Sequence, residues 1–480
     1  MADVQSLATP ALQRFARLLP LPSGTPAYLG LSHGIRLMIM DGHLALGARL
    51  PSERLLAAGL GLSRTTVTSA YRDLVNTGWA SARQGSGTVA RMPARDRAPS
   101  LPLVPDGSTD TIDLSAAAGL APSGTANIVA RALEWLPRTL GGAGYEPVGA
   151  RHLRERIAAW YEGRGVPTDP DQVIVTPGAL AAVNVVLHAL VRPGGRVAVD
   201  APTYPGALGA IDAARARPVP VPLGDAGWDL PGWAETLRRT SPTAAYLIPD
   251  FHNPTGHLMG DPTRRELAGL LAQADCIPIV DETLACLDLD GGPGVAAWAG
   301  LDDRAVAVGS LSKVLWGGFR VGWIRCPPAL LPAVRQRQLA LSLGPSAIDQ
   351  LVATTYLEAP ETVLAEVLDR LRETRDAWLD DLDWMLPEWR FQTPRGGLAL
   401  WVELPHPLST ELSLVAAGHG LALTPGPRFS PDRTLASRLR LPLTLPPDAV
   451  SKAAGRLADA WQDTLDGVRG VDLEPRSLPL

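Results

Sequence analysis

Five apolar runs of four or five residues, Val173–Thr176, Val197–Asp200, Ala244–Ile248, Ile277–Asp281 and Ala305–Gly309, alternate with helical stretches in the middle of this 480-residue chain. The intervening stretches include Leu180–Val191, Gly206–Arg215 and Pro262–Ala274. Parallel strands are joined by long crossovers, usually helices, and strands covered on both faces read as unbroken apolar runs. The alternation therefore predicts βα units and a largely parallel sheet with helices on both sides. From about residue 345 the pattern changes to a long amphipathic helix over 360–386, short strands near 398–403 and 437–443, and a closing helix over 447–465. This predicts a smaller α+β lobe.

A stretch with four prolines and no hydrophobic period, residues 93–112, precedes the alternating region and reads as a linker. The chain is thereby divided into an N-terminal module over 20–92, the linker, and a large domain over 113–465 whose small lobe spans about 345–465. The net charge of −5 is unevenly spread. Residues 1–92 carry nine arginines against four acidic residues, so an excess of positive charge sits on the N-terminal module of an otherwise acidic protein. An anionic partner for that module is expected. No run of eighteen apolar residues is present, and Arg14 and Arg17 fall where the apolar core of a secretory leader would lie. The three scattered cysteines form neither a metal spacing nor a disulfide framework. The expectation is a cytoplasmic protein with no membrane partner and no metal.

Within the N-terminal module three helical patterns fall at roughly 26–41, 52–60 and 63–77, followed by strand-like residues around Gly85-Ser86-Gly87. Ser52 and Ser63 stand where each caps a helix. A recognition helix presents its first residues to base edges in the major groove, which places Arg64, Thr65 and Thr66 for that task. Read singly, each motif also suits a helical hairpin of structural use. In order, however, Gly-x-Arg-Leu-Pro-Ser-Glu-Arg (47–54), Ser-Arg-Thr-Thr-Val (63–67), Tyr-x-x-Leu (71–74), Gly-Trp (78–79) and Gly-Ser-Gly-Thr (85–88) resemble the GntR-type winged helix-turn-helix. The resemblance implies that Arg54, Arg64, Thr65 and Thr66 contact double-stranded DNA, with Arg49 and the wing at Gln84 and Gly85 beside the backbone.

Lysine is scarce: two residues, Lys313 and Lys452, against forty-two arginines. A lysine kept where arginine supplies nearly all positive charge is a candidate for chemistry that a guanidinium cannot do, such as forming an imine. Lys452 reads instead as a surface charge on the closing helix. Lys313 lies in Ser310-Leu311-Ser312-Lys313, just past a strand, with Arg320 seven residues on. Ser310, Ser312 and Arg320 suit a phosphate dianion that would hold an aldehyde cofactor beside the amine. Upstream, Asp281 ends a strand, where its carboxylate suits a protonated pyridine nitrogen. Asn253 sits on another strand-exit loop, Tyr204 offers a flat face, and Thr176-Pro177-Gly178-Ala179-Leu180 is a strand-turn-helix step whose first N–H groups form an anion site. Each has a plain alternative: a helix cap, a turn residue, a half-buried aromatic, a simple turn.

All of them sit at strand exits in a fixed order ending at Lys313, and with His-Asn-Pro-Thr-Gly (252–256) and Ser-x-Ser-Lys (310–313) that order resembles fold-type I pyridoxal 5'-phosphate (PLP) aminotransferases. The resemblance implies Lys313 as carrier of the internal aldimine, Asp281 at the pyridinium, Asn253 at the phenolic oxygen and Tyr204 stacked on the ring. It implies Gly178, Ala179, Leu180, Ser310, Ser312 and Arg320 around the phosphate. It also implies Arg440 as the arginine for an effector carboxylate, with Arg438 as second choice, and Tyr145 reaching the cofactor of a neighbouring subunit. The family usually carries a tyrosine two or three residues after the aspartate. Here Thr283 and Leu284 stand instead.

A winged helix-turn-helix joined to an aminotransferase-like domain resembles MocR-type regulators. That implies a multidomain, homodimeric, PLP-binding transcriptional regulator in which an amino compound or PLP itself is the effector, with little or no steady transaminase turnover. The rival reading is an active aminotransferase that carries a DNA-binding domain.

Overall fold

The computed structural model describes residues 26–40, 44, 47–83, 87–91, 110–292 and 294–469. Its N-terminal unit consists of helices Ala27–Met40, Glu53–Leu60 and Arg64–Asn76 and the antiparallel hairpin β1 (Ala80–Arg83) and β2 (Gly87–Ala90). Local chemistry sets these limits. Ser52 accepts a hydrogen bond from Leu55 N, Ser63 accepts one from Thr66 N, and Gly61 ends the shorter helix in the left-handed region at φ 66°. The apolar faces of the three helices meet in Leu31, Ile35, Leu56, Val67 and Leu74, all fully buried. Burying each such side chain contributes about 1.5–3 kcal/mol. The buried Tyr71 hydroxyl donates to Pro51 O at 2.8 Å and locks the last helix to the turn before the second.

The large domain begins at β3 (Ile112–Asp113) and is built on β4 (Val173–Thr176), β5 (Arg196–Ala201), β6 (Arg217–Gly224), β7 (Gly227–Trp228), β8 (Ala244–Leu247), β9 (Ile277–Asp281), β10 (Val306–Ser310) and β11 (Gly322–Arg325). The last eight form one sheet in the order β4-β11-β10-β9-β8-β5-β6-β7. Strands β6, β5, β8, β9 and β10 run parallel, whereas β11 is antiparallel to both of its neighbours and β7 is a short antiparallel edge. The expected parallel sheet is therefore mixed at its two sides. In β6 the alternate Pro218, Pro220 and Pro222 put their missing N–H groups on one side of the strand. That side must be the one away from β5, which is why prolines are tolerated there.

Apolar clusters cover both faces, one around Val183, Val186 and Ile211, the other around Trp233, Leu237 and Leu267. The small lobe has β12 (Arg390–Phe391), β13 (Ala399–Glu403), β14 (Leu421–Ala422), β15 (Thr424–Pro425) and β16 (Arg438–Pro442). Helices Glu361–Met385 and Pro447–Arg469 flank it, with Trp378 and Leu457 buried in the shared core. A helix not expected from the sequence, Ala347–Glu358, precedes this lobe. The pairing of β3 with β14 ties the chain just after the linker to the small lobe. Among the described residues no helix is long and apolar enough to cross a membrane.

Candidate functional site

Because β5, β8, β9 and β10 are parallel, their C-terminal ends share one edge of the sheet, where ligands of such folds bind. Tyr204 follows β5, Asn253 follows β8, Asp281 ends β9 and Lys313 follows β10. All four line one cavity of about 140 Å³ together with Ala179, Leu180, Ser310, Ser312 and Arg320. Nine of the residues singled out from sequence thus meet around one space.

One set of groups around the cavity suits a phosphate. Gly178 has φ +89°, and a Cβ there would come within 2.4 Å of Arg320 Nη2. Glycine at this step lets the guanidinium lie across the start of helix Ala179–Leu190, whose first N–H groups are free of intrahelical partners. Arg320 Nη1 is braced by Gly317 O at 3.1 Å, and the Ser310 and Ser312 hydroxyls sit 3.0 Å apart.

Asp281 also lines the cavity. Its Oδ2 accepts the Tyr246 hydroxyl at 2.6 Å, while Oδ1 accepts Thr283 N at 3.0 Å and the Thr283 hydroxyl at 2.6 Å. Thr283, one of the two residues in the stretch where the family usually carries a tyrosine, therefore directs its hydroxyl to the carboxylate. Burial, reinforced by Asp281, raises the Tyr246 pKa well above its ordinary value, so this phenol stays a donor. The Asn253 carboxamide oxygen is buried and has no protein hydrogen-bond partner among the described residues. Next to it, His252 is fully buried with Nε2 3.7 Å from Asp200 Oδ2. Burial raises the Asp200 pKa to about 7, against the pull of the Trp228 and Trp233 N–H groups, and lowers that of His252 to about 3.

Lys313 feels both the Asp281 carboxylate and the Arg320 guanidinium. Its Nζ donates to Ala117 O at 2.8 Å. Burial first, then the Arg440 and Arg320 charges, lower its pKa to about 8, with Asp281 opposing. An amine with that pKa is a usable nucleophile near neutral pH. Arg440, in β16, is buried beside the site; it donates through Nη2 to Ser115 O, lies 5.1 Å from the centre of the Phe429 ring, and its Nε has no hydrogen-bond partner among the described residues. Burial lowers its pKa to about 10. Tyr145 is elsewhere: it is 68% exposed and lines a separate groove with Trp135, Arg138 and His152. Arg438 points to Asp225 and Glu403.

Phosphate-type groups, an amine, a buried amide and a donor-braced carboxylate around one cavity fit PLP. When bound, that cofactor supplies an electrophilic aldehyde and an electron-withdrawing ring. Two contributors were not singled out from sequence. Tyr246 had a signal, a phenol inside the otherwise aliphatic strand β8. Ala117 had none, because it acts through its backbone carbonyl.

In the N-terminal unit the Arg64 side chain is exposed and 3.7 Å from Glu53. Thr65 is exposed, Thr66 half-buried, and both hydroxyls meet Ser63 Oγ, at 2.8 and 2.7 Å. Arg54 and Arg49 are exposed, and the Arg49 guanidinium lies against Gly87 of the hairpin. Gln84 and Gly85 lie outside the described residues. Lys452 is a surface charge on the closing helix, as expected, and forms an exposed ion pair with Asp110 at 2.7 Å.

Comparison with known proteins agrees with both halves. Residues 111–457 match the aminotransferase class I and II family, and residues 27–89 match the gntR family of bacterial regulatory proteins. The uncharacterized HTH-type transcriptional regulator YdcR of Escherichia coli is 30% identical over 84% of this chain and 92% of its own length. The HTH-type transcriptional regulator TauR of Rhodobacter capsulatus is 28% identical over 90% of this chain and 96% of its own length. Among solved structures, the α-aminoadipate aminotransferase LysN of Thermus thermophilus, complexed with N-(5'-phosphopyridoxyl)-L-leucine, superposes with a TM-score of 0.69. It is 28% identical and covers 75% of this chain and 94% of its own. The chain therefore belongs to the MocR-type subfamily of GntR transcriptional regulators, in which a winged helix-turn-helix is joined to a PLP-binding fold-type I aminotransferase domain.

Proposed function

We propose that this regulator loads PLP at Lys313 and reports the occupancy of that site, by PLP itself or by an amino compound reacting with it, to a DNA operator. The observation that carries the reading is the Lys313 amine, with its pKa lowered to about 8, in one cavity with Asp281, Asn253 and Arg320. In this reading Asp281 faces the ring nitrogen, Asn253 donates its amide N–H to the phenolic oxygen and Tyr204 stacks on the ring. Ser310, Ser312, Arg320 and the N–H groups from Gly178 to Leu180 hold the phosphate. Arg440 takes an effector carboxylate, which its unpartnered Nε and its place beside Tyr204 support.

On the DNA side, Arg64 and Thr65 enter the major groove, with Thr66 behind them, Arg54 and Arg49 flanking, and the Gln84–Gly85 wing on the backbone. The protein acts as a homodimer in the cytoplasm. Exposed Leu140, Tyr145, Leu341, Leu343 and Ile348 supply apolar area for such an interface, with Tyr145 turned toward the partner's site. Two readers on one dimer would bind paired half-sites.

Transaminase turnover is the second reading, favoured by the nucleophilic Lys313 and the buried Arg440. Purified full-length protein distinguishes the two. A regulator changes its affinity for DNA selected from a random pool when PLP or an amino acid is added, and stops after one amino-group exchange. Sustained keto-acid production with no effect on DNA binding would overturn the regulator reading.

A further inference from the structure

The residues that follow the linker run straight into the site. Asp110 is gripped by Lys452 and Arg456 of the closing helix. Ile112 N and Leu114 N donate to Gly420 O and Ala422 O at 2.9 and 2.8 Å. Asp113 lies in the field of Arg440, and Ser115 O accepts from Arg440 Nη2. Two residues later, Ala117 O accepts from Lys313 Nζ at 2.8 Å. One stretch of eight residues is thus held at its start by two cations outside the site, and at its end by the amine and the guanidinium that serve ligands.

We propose that Asp110–Ala117 is the element through which the state of the cofactor site reaches the DNA-reading unit. The proposal rests on the reading that PLP loads at Lys313. When the Lys313 amine condenses with an aldehyde, its nitrogen gives up two hydrogens and the aldehyde its oxygen, which leave together as water, and a C=N bond replaces the C=O bond. The nitrogen keeps at most one hydrogen of the three that an ammonium offers, and Ala117 O loses its donor. A carboxylate taken up by Arg440 competes in the same way for the N–H that holds Ser115 O, because a bidentate guanidinium–carboxylate pair uses two parallel N–H groups. The first event frees Ala117 O, and the second leaves Ser115 O held by the Thr424 hydroxyl alone, at 3.0 Å, in the stretch that leads, through the linker, to the reader. Lys452 and Arg456 tie Asp110 to the closing helix, so that the start of the linker follows the stretch and the small lobe together and does not move independently of them.

Hydrogen exchange on full-length protein tests this, with PLP as the probe and its absorbance recorded on the same samples. Loading PLP should speed exchange at the Ile112 and Leu114 amides roughly three- to tenfold, the effect of losing one hydrogen bond. Lys313→Ala should show no PLP-dependent change there. In the double variant Lys452→Ala/Arg456→Ala, cofactor absorbance should persist while the PLP-dependent change in affinity for pool-selected DNA disappears. Unchanged exchange in protein whose absorbance shows PLP bound would overturn the proposal, as would a wild-type DNA response in the double variant. Absence of cofactor absorbance in the wild type would instead overturn the reading beneath it, and this proposal with it.

Discussion

Tyr246 donates its phenolic proton to Asp281 Oδ2 across 2.6 Å, from the middle of β8 to the end of its neighbour β9. The pair lies thirty-five residues apart in sequence, on two parallel strands, and both side chains are buried. With Thr283 on Oδ1, it fixes the orientation of the carboxylate before any ring arrives. Tyr246→Phe should therefore weaken PLP affinity by about 1 kcal/mol, the usual worth of one such bond, or roughly fivefold. An absorbance titration reads this directly. An unchanged dissociation constant would mean that Asp281 needs no brace.

A second expectation concerns Gly178. Its φ of +89° strains any side chain, and a Cβ there would push against the Arg320 guanidinium. Gly178→Ala should displace the guanidinium and the first helical N–H groups, so that PLP affinity falls at least tenfold while affinity for unphosphorylated pyridoxal changes little. Equal losses for both ligands would show that the damage is not at the phosphate end.

The Lys313 amine sets a pH dependence. Burial and the Arg440 and Arg320 charges bring its pKa from 10.5 to about 8. The fraction of free amine, and with it the rate of condensation with PLP, should rise as pH increases through about 8 and level off above 9, with the phosphate fully ionised throughout. Stopped-flow absorbance checks the midpoint. A rate still climbing steeply above pH 10 would show that the site does not depress this lysine.

Asp200 gives a stability prediction. Its folded-state pKa is raised from 3.8 to about 7, because burial disfavours the charged form. The folded protein therefore holds this proton more tightly than the unfolded chain. Stability from this group is full below pH 3.8 and is lost as pH rises through 7. Asp200→Asn, which cannot ionise, should raise Tm by a few degrees at pH 8 relative to the wild type, and by less at pH 5.5. Calorimetry at the two pH values is the check, and a stabilisation that does not grow with pH would contradict it.

Much of this was legible before any coordinates. Ser52 and Ser63 are local start signals, and the helices of the N-terminal unit lie within a residue or two of the expected limits. Apolar runs at helix-length spacing forced parallel strands, and parallel strands put their exits on one edge, so Tyr204, Asn253, Asp281 and Lys313 had to converge. What escaped depends on neighbours in space. Helix Ala347–Glu358 is buried at Gln350, Leu351, Val352, Ala353, Thr355 and Tyr356, so it lacks a polar face to mark its period. Strand β11 enters the sheet between β4 and β10 against the direction of both, which no local pattern encodes. The grip of Lys313 on Ala117 and of Arg440 on Ser115 uses backbone carbonyls, which every residue carries, and the Lys452–Asp110 ion pair joins residues far apart in the sequence.

DNA recognition can be separated from the cofactor. Arg64 is exposed at the first turn of its helix and contributes nothing to the buried core. Arg64→Ala should cost about 1–3 kcal/mol in binding to pool-selected DNA, with cofactor absorbance and Tm unchanged. A parallel loss of cofactor absorbance would reveal a folding defect in place of a lost contact.

The central claim is that Lys313 is the residue that holds PLP. Full-length protein incubated with PLP, reduced with borohydride, digested and weighed by mass spectrometry tests it most directly. The account predicts one phosphopyridoxyl group per chain on the peptide carrying Lys313, and none on any peptide of the Lys313→Ala variant. Label on Lys452 alone, or equal labelling of wild type and variant, would contradict it.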